Sequence, residues 1–88
     1  MLTFPATLTH AEAPACVARW VAQLPAGPGQ VVQLSGASLQ RFDSSALSAV
    51  LALRRHLADK GQGLELVNLP QRLSELATLY GVGELLAA

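Results

Sequence analysis

The side chains best placed to do chemistry are Asp43, Ser44 and Ser45, within the run Arg41-Phe42-Asp43-Ser44-Ser45-Ala46-Leu47. Together with His10 and His56 they supply the residue types of a serine hydrolase: a nucleophile, a base and an orienting acid. Their spacing argues against that reading. The Gly-x-Ser-x-Gly elbow is absent. Asp43 adjoins Ser44 in sequence, a poor position from which to hold a histidine from behind. His56 would lie about three turns along the same helix from Ser44, too far for a hydrogen bond. The run carries a second chemistry, because it passes directly into an apolar helical pattern. A helix start leaves about four backbone N–H groups without intrahelical partners. Asp and Ser oxygens accept from those donors, and the same end can hold an anion such as a phosphate. Asp43-Ser44-Ser45 therefore reads either as an N-cap or as a recognition loop with a phosphorylatable serine.

Other candidates are weaker. The two histidines and one cysteine are far apart, with none of the paired spacings of a metal site. Cys16 reads as a small core residue, and a single cysteine with no internal disulfide partner fits a reducing cytoplasm. Gly61-Gln62-Gly63 lacks the remaining glycine of a dinucleotide loop and reads as a turn. No cofactor is expected. Trp20 is either an interface anchor or core. Six basic and six acidic residues give zero net charge with no basic stripe, which disfavours nucleic acid. No signal-peptide pattern opens the chain and no apolar run reaches the roughly 18 residues of a membrane helix, so no direct membrane insertion is expected. The chain is 51% hydrophobic and only 14% charged, enough for a core and short of charge for the whole surface, so one face is a candidate for cover by a partner.

The elements that must position the Asp-Ser segment follow from periodicity and punctuation. Thr3 to Leu8 alternates loosely as a short strand, with Pro5 favouring an edge. Thr9 caps a first helix over about 10–24, or from about Ala13 given Pro14. Its apolar face is Cys16, Val17, Trp20, Val21 and Leu24. Pro25 to Gly29 ends it, and Val31 to Leu34 is a buried strand. After a connection over Ser35 to Phe42, Asp43 caps a second helix over 44–60. Its stripe is Leu47, Val50, Leu51, Arg54 and Leu57, widened by Ala46, Ala49 and Leu53. Gly61 closes it, and Leu64 to Val67 is a further strand. Pro70 opens a third helix with Leu73, Leu76, Ala77 and Tyr80 inward. Gly81 caps that helix, and Val82 to Ala88 is a short apolar tail. The expectation is one α/β domain over residues 1–88, with a small, mainly parallel sheet of three to four strands and about three packed helices.

This order of elements, with Phe42-Asp43-Ser44-Ser45-Ala46-Leu47 and then Ala52-Leu53-Arg54-Arg55, resembles a STAS domain. Members of that family carry Asp-Ser/Thr-x-Gly-Leu at the start of the helix after a central strand. Here Ala46 stands in place of the usual glycine. A second signature is a strand after a glycine turn, a proline-started helix and Leu-Tyr-Gly. Gly63 to Val67, Pro70 and Leu79-Tyr80-Gly81 match it. The segment Leu73 to Tyr80 resembles the MlaB branch more than the anti-anti-sigma branch. Family members usually begin with a two-stranded hairpin, whereas this chain has room for one clear strand.

The resemblance implies a protein that is not an enzyme and that binds partners around the Asp-Ser loop and the helix following it. In the MlaB branch the implied partner is the ATPase subunit of a phospholipid-transport ABC complex, on the cytoplasmic side of the inner membrane. In the sigma-regulating branch it is an anti-sigma factor serine kinase, which phosphorylates the residue corresponding to Ser44. Carried onto this chain, the expected contact residues are Asp43, Ser44, Ser45, Leu47 and Arg54. Val50 and Leu51 would be further anchors and Arg55 an extension.

Overall fold

The computed structural model of the chain describes residues 2–86. The elements are β1 (Leu2–Thr3), β2 (Thr7–Leu8), α1 (Ala13–Ala22), β3 (Val31–Ser35), β4 (Arg41–Phe42), α2 (Ser45–Asp59), β5 (Gly63–Val67), α3 (Gln71–Leu79) and α4 (Gly83–Leu86). Among the described residues β1, β3 and β5 form a three-stranded sheet in that order, and every pairing is parallel. This is the expected α/β architecture. Residues 87–88 of the expected tail lie outside the described residues.

The N-terminal strand is split. Pro5 has no N–H to give to a ladder. β1 ends before it and pairs with β3, Leu2 opposite Leu34, while β2 resumes after it and pairs with β4, Thr7 opposite Arg41. The two pairings are joined by Phe4 N–H donating to the Ser35 carbonyl and by the Ala6 carbonyl accepting from Gln40 and Arg41 N–H. Between them the register slips by two residues, taken up in a loop that buries Leu39. The segment Ser35 to Phe42 is thus part strand rather than connection alone.

α1 starts at Ala13, the later of the two starts the sequence allows. Its approach is fixed by a Thr-x-x-Glu exchange: the Glu12 carboxylate accepts from Thr9 N–H at 2.8 Å and from the Thr9 hydroxyl. Those donors hold the Glu12 carboxyl below its ordinary range. Trp20 is core: its Nε1–H donates to the Thr3 carbonyl at 2.9 Å, and its ring meets Phe4 edge-on at 5.3 Å. Cys16 is buried beside it, and burial pushes its thiol up. α1 and α2 pack against each other, and Val32 and Leu34 of the sheet join Trp20, Leu53 and Leu57 in one cluster.

α2 closes as expected. Gly61 takes φ +69°, which lets Gln62 N–H reach the Leu57 carbonyl at 2.8 Å. Gln62 is itself buried, and its Nε2 donates to the Pro25 and Gly27 carbonyls, tying the α1–β3 loop to the start of β5.

The strand expected to be buried over Val31 to Leu34 is buried on one face only, with Val31 65% exposed, and three helical residues expected inside are not. In α2 the buried line is Ala46, Ala49, Val50, Leu53 and Leu57, with Leu47 at its margin and Leu51 half-exposed. In α3 the buried pair is Leu73 and Ala77, with Leu76 half-exposed and Tyr80 59% exposed. Each apolar stripe is wider than the surface the neighbouring elements cover. Tyr80 stands at the C-cap, one step past the packed length of α3.

Leu53→Ala and Leu73→Ala each empty a fully enclosed site and should cost about 2–5 kcal/mol. Leu51→Ala should cost well under half as much. Urea melts of the three variants check this; an equal loss for Leu51→Ala would return that residue to the core.

Candidate partner-binding site

The β2–β4 pairing sets two chain turns side by side. One leaves β2 through Thr9 and His10 toward α1, and the other leaves β4 through Asp43 into α2. The Asp43 carboxylate bridges them: Oδ1 accepts from Ser45 N–H at 2.8 Å and Oδ2 from His10 N–H at 3.2 Å. Ser44 holds the position just before α2 without a side-chain cap bond, so the capping oxygen comes from Asp43. The Ser45 N–H holds the Asp43 carboxyl below its ordinary range, opposed by partial desolvation and helped by the longer bond from His10 N–H. Both oxygens are thus engaged by backbone donors, and Asp43 meets His10 through the main chain rather than through the imidazole. That is the geometry of a cap, not of an acid orienting a catalytic histidine.

Ser44 is exposed and stands between two shallow clefts. Phe42, Asp43, Leu76, Leu79 and Tyr80 line the first, with Arg72 and Glu75 also in its wall. Leu47, Ser48, Leu51, Tyr80 and Val82 line the second. Ser44 and Tyr80 are common to both. Leu79 is 80% exposed, and the Arg72 guanidinium lies 5.6 Å from the centre of the Phe42 ring. The result is an apolar surface with three hydroxyls, from Ser44, Ser48 and Tyr80, and a polar margin, at the end of the molecule where β4 runs into α2. Among the described residues no three His, Cys, Asp or Glu side chains come together.

Of the residues expected at the site, Asp43, Ser44 and Leu47 meet here, Leu47 being almost fully covered. Ser45 is half-buried, its N–H engaged by Asp43. Val50 is fully buried and offers a partner nothing, because it points into the α2 core line. Leu51 does line the second cleft. Arg54 lines neither cleft and lies one turn beyond Leu51. It is half-buried, with Nε and Nη2 shielded from water and without a hydrogen-bond partner. Arg55 and Arg41 are exposed. Sequence reasoning missed Phe42, Leu79, Tyr80 and Val82. The available signal was two large apolar residues, Leu79 and Tyr80, at a helix end where the chain turns back through Gly81 at φ +74°.

The all-parallel sheet with an Asp-capped helix and a flanking apolar surface defines a small α/β binding domain. The profile of the family described as "Mlab, STAS domain" matches residues 3–87, and the chain belongs to that family of STAS-domain proteins, whose role is protein interaction. Comparison with curated proteins and with solved structures finds no match. No helix among the described residues is long and apolar enough to cross a membrane.

Two measurements follow from the corner. Ser44→Ala should leave the melt unchanged, whereas Asp43→Ala should lower it and Asp43→Asn, which still caps, should lower it less. The folded-state pKa values of Asp43 and Glu12 are depressed, so their contribution is complete above the ordinary carboxylate range and is lost as pH falls through the folded values. Wild-type melting temperature should therefore drop on acidification below about pH 4, and Asp43→Asn should drop less steeply over the same titration.

Proposed function

We propose that the chain is a non-enzymatic adaptor of the MlaB type. As a single domain it binds and stabilises the cytoplasmic ATPase subunit of an MlaFEDB-type phospholipid-transport ABC complex. It reaches the cytoplasmic face of the inner membrane through that partner, without inserting itself. The observation that carries this reading is the position of Ser44: exposed, without a cap bond, on the ridge between two apolar clefts, at the family's motif. An interface has an apolar centre and a polar rim. Leu51, Leu76, Leu79 and Tyr80 supply the first, and Ser48, Arg72 and Glu75 the second. Asp43, with its oxygens engaged, fixes the height of Ser44, and Leu47 floors the contact.

The same exposure supports a second reading, an anti-sigma factor antagonist whose Ser44 is phosphorylated by a serine kinase. A phosphate there would add about −1.5 to −2 charges to the ridge. In the first reading the hydroxyl is a contact, and in the second it is a switch. Incubation with the kinase and ATP, followed by intact mass, separates them.

A titration of the chain against the purified ATPase subunit tests the adaptor reading. Ser44→Glu places a carboxylate near a helix N-terminus, which the isolated fold tolerates, so its melt should match wild type. At a closed interface that carboxylate is desolvated without a partner, so binding should weaken at least tenfold, while Ser44→Ala binds as wild type. Binding of Ser44→Glu at wild-type strength would remove the clefts from the interface.

A further inference from the structure

Among the described residues the buried side-chain polar atoms without a partner are Gln62 Oε1 and two nitrogens of Arg54, and Arg54 is the charged group. It follows Leu47 and Leu51 at seven- and three-residue steps along α2, on the side that carries the second cleft. Its Nε and Nη2 are the adjacent donors of one edge of the guanidinium fork, the edge that takes both oxygens of a carboxylate. Both are shielded from water and neither has an acceptor. A charged donor pair held from water and unpaired weakens the free fold. Pairing with a partner requires that edge to rotate outward, which the long stem of arginine permits.

Resting on the adaptor reading above, we infer that Arg54 is the ionic anchor of this surface and pairs with a carboxylate of the partner protein. The fitting partner segment is a helix. It places a large apolar side chain between Leu51, Tyr80 and Val82, and an Asp or Glu about one turn further on, matching the single turn from Leu51 to Arg54. A carboxylate fits better than a membrane phosphate, because the neighbouring surface is an apolar cleft and the chain as a whole carries no net positive charge.

The test uses the full chain and the purified ATPase subunit, with Arg54→Met to keep the stem and remove the fork, and Lys60→Met as an exposed cation at the far end of α2. Arg54→Met should melt at or above the wild-type temperature, since an unpaired donor pair is lost, and should bind the subunit at least tenfold more weakly. Lys60→Met should match wild type in both. A scan of Asp and Glu to Ala on the subunit should find one position whose loss equals that of Arg54→Met and is not additive with it. Wild-type binding that Arg54→Met leaves intact overturns the anchor and spares the adaptor reading. A clearly lowered melting temperature for Arg54→Met also overturns it, by making the side chain part of the free fold. No binding by the wild-type chain overturns the adaptor reading and the anchor with it. Arg54-dependent pelleting with phosphatidylglycerol vesicles, in place of subunit binding, overturns the carboxylate assignment.

Discussion

Parallel pairing of β3 on both edges is the constraint from which the rest of the fold follows. A parallel neighbour cannot be reached by a tight turn, so β1 and β5 each require a helical crossover to and from β3. With the strands in sequential order β1-β3-β5, the two crossover helices lie together, and α1 packs on α2. Leu2, Val32 and Leu34 are buried in the cluster that these helices complete. Parallel sheets are usually covered on both faces. The residues alternating with those three are different in kind: Val31 is 65% exposed, and Gln33 donates across the strands to Glu65. The sheet's second face is thus mixed, with Val31 beside Gln33 and Glu65, and further apolar surface is left open at the helix ends.

Why that surface forms where it does is a matter of strand ends. β3 and β5 finish at the same end of the sheet, with Ser35 opposite Val67. Gly36 follows Ser35, and a Cβ there would come within 3.2 Å of Leu69, Asn68 and Pro70. The β5–α3 turn, with Asn68 at φ 53°, is therefore pressed directly onto the end of β3, which fixes how α3 leaves the sheet. α3 then runs past Phe42 and Asp43, so that its C-terminal end shares the walls of open clefts with Ser44 and Leu47 at the start of α2. The Asp43 carboxylate, bonded to two chain segments, keeps the ridge in place. In open α/β sheets the ends of parallel strands are the habitual place for binding sites, and here the cap and the close-packed turn frame the clefts around Ser44 at that end.

The three longer helices and the strands β3 and β5 were legible because each has a local signal, whereas β4 was read as connection and the α4 segment as an apolar tail. Helical periods mark α1, α2 and α3, Gly and Pro mark their limits, and Asp43 announces the start of α2. Features set by distant contacts were not legible. The division of the N-terminal strand depends on a register slip against a segment some 30 residues away. Gln62 looks like a turn residue until Pro25 and Gly27 are brought to its side chain. Trp20 was ambiguous for the same reason, since its place in the core is fixed by Phe4 and the Thr3 carbonyl. At the site, the Asp43-Ser44 pair was legible as a cap with an outward serine. The α3 half was not, because nothing local says that Tyr80 and Leu79 face outward.

The misassigned positions have a common cause. Periodicity reports how wide an apolar stripe is, but not how much of it the rest of the chain covers. Leu51, Leu76 and Tyr80 belong to helical stripes by spacing, yet lie beyond the edge of the neighbouring elements, and all three line the clefts around Ser44. An apolar residue that the pattern assigns to the core and the fold leaves open adds little to the free chain's stability, and its burial remains available to binding. Val50, Leu53, Leu73 and Ala77 are fully buried, while Leu51 and Leu76 on the same helices are only partly covered and Tyr80, at the C-cap of α3, is 59% exposed. The packed line and the open line therefore use different side chains of the same two helices, and it is the open line that the proposed partner would cover.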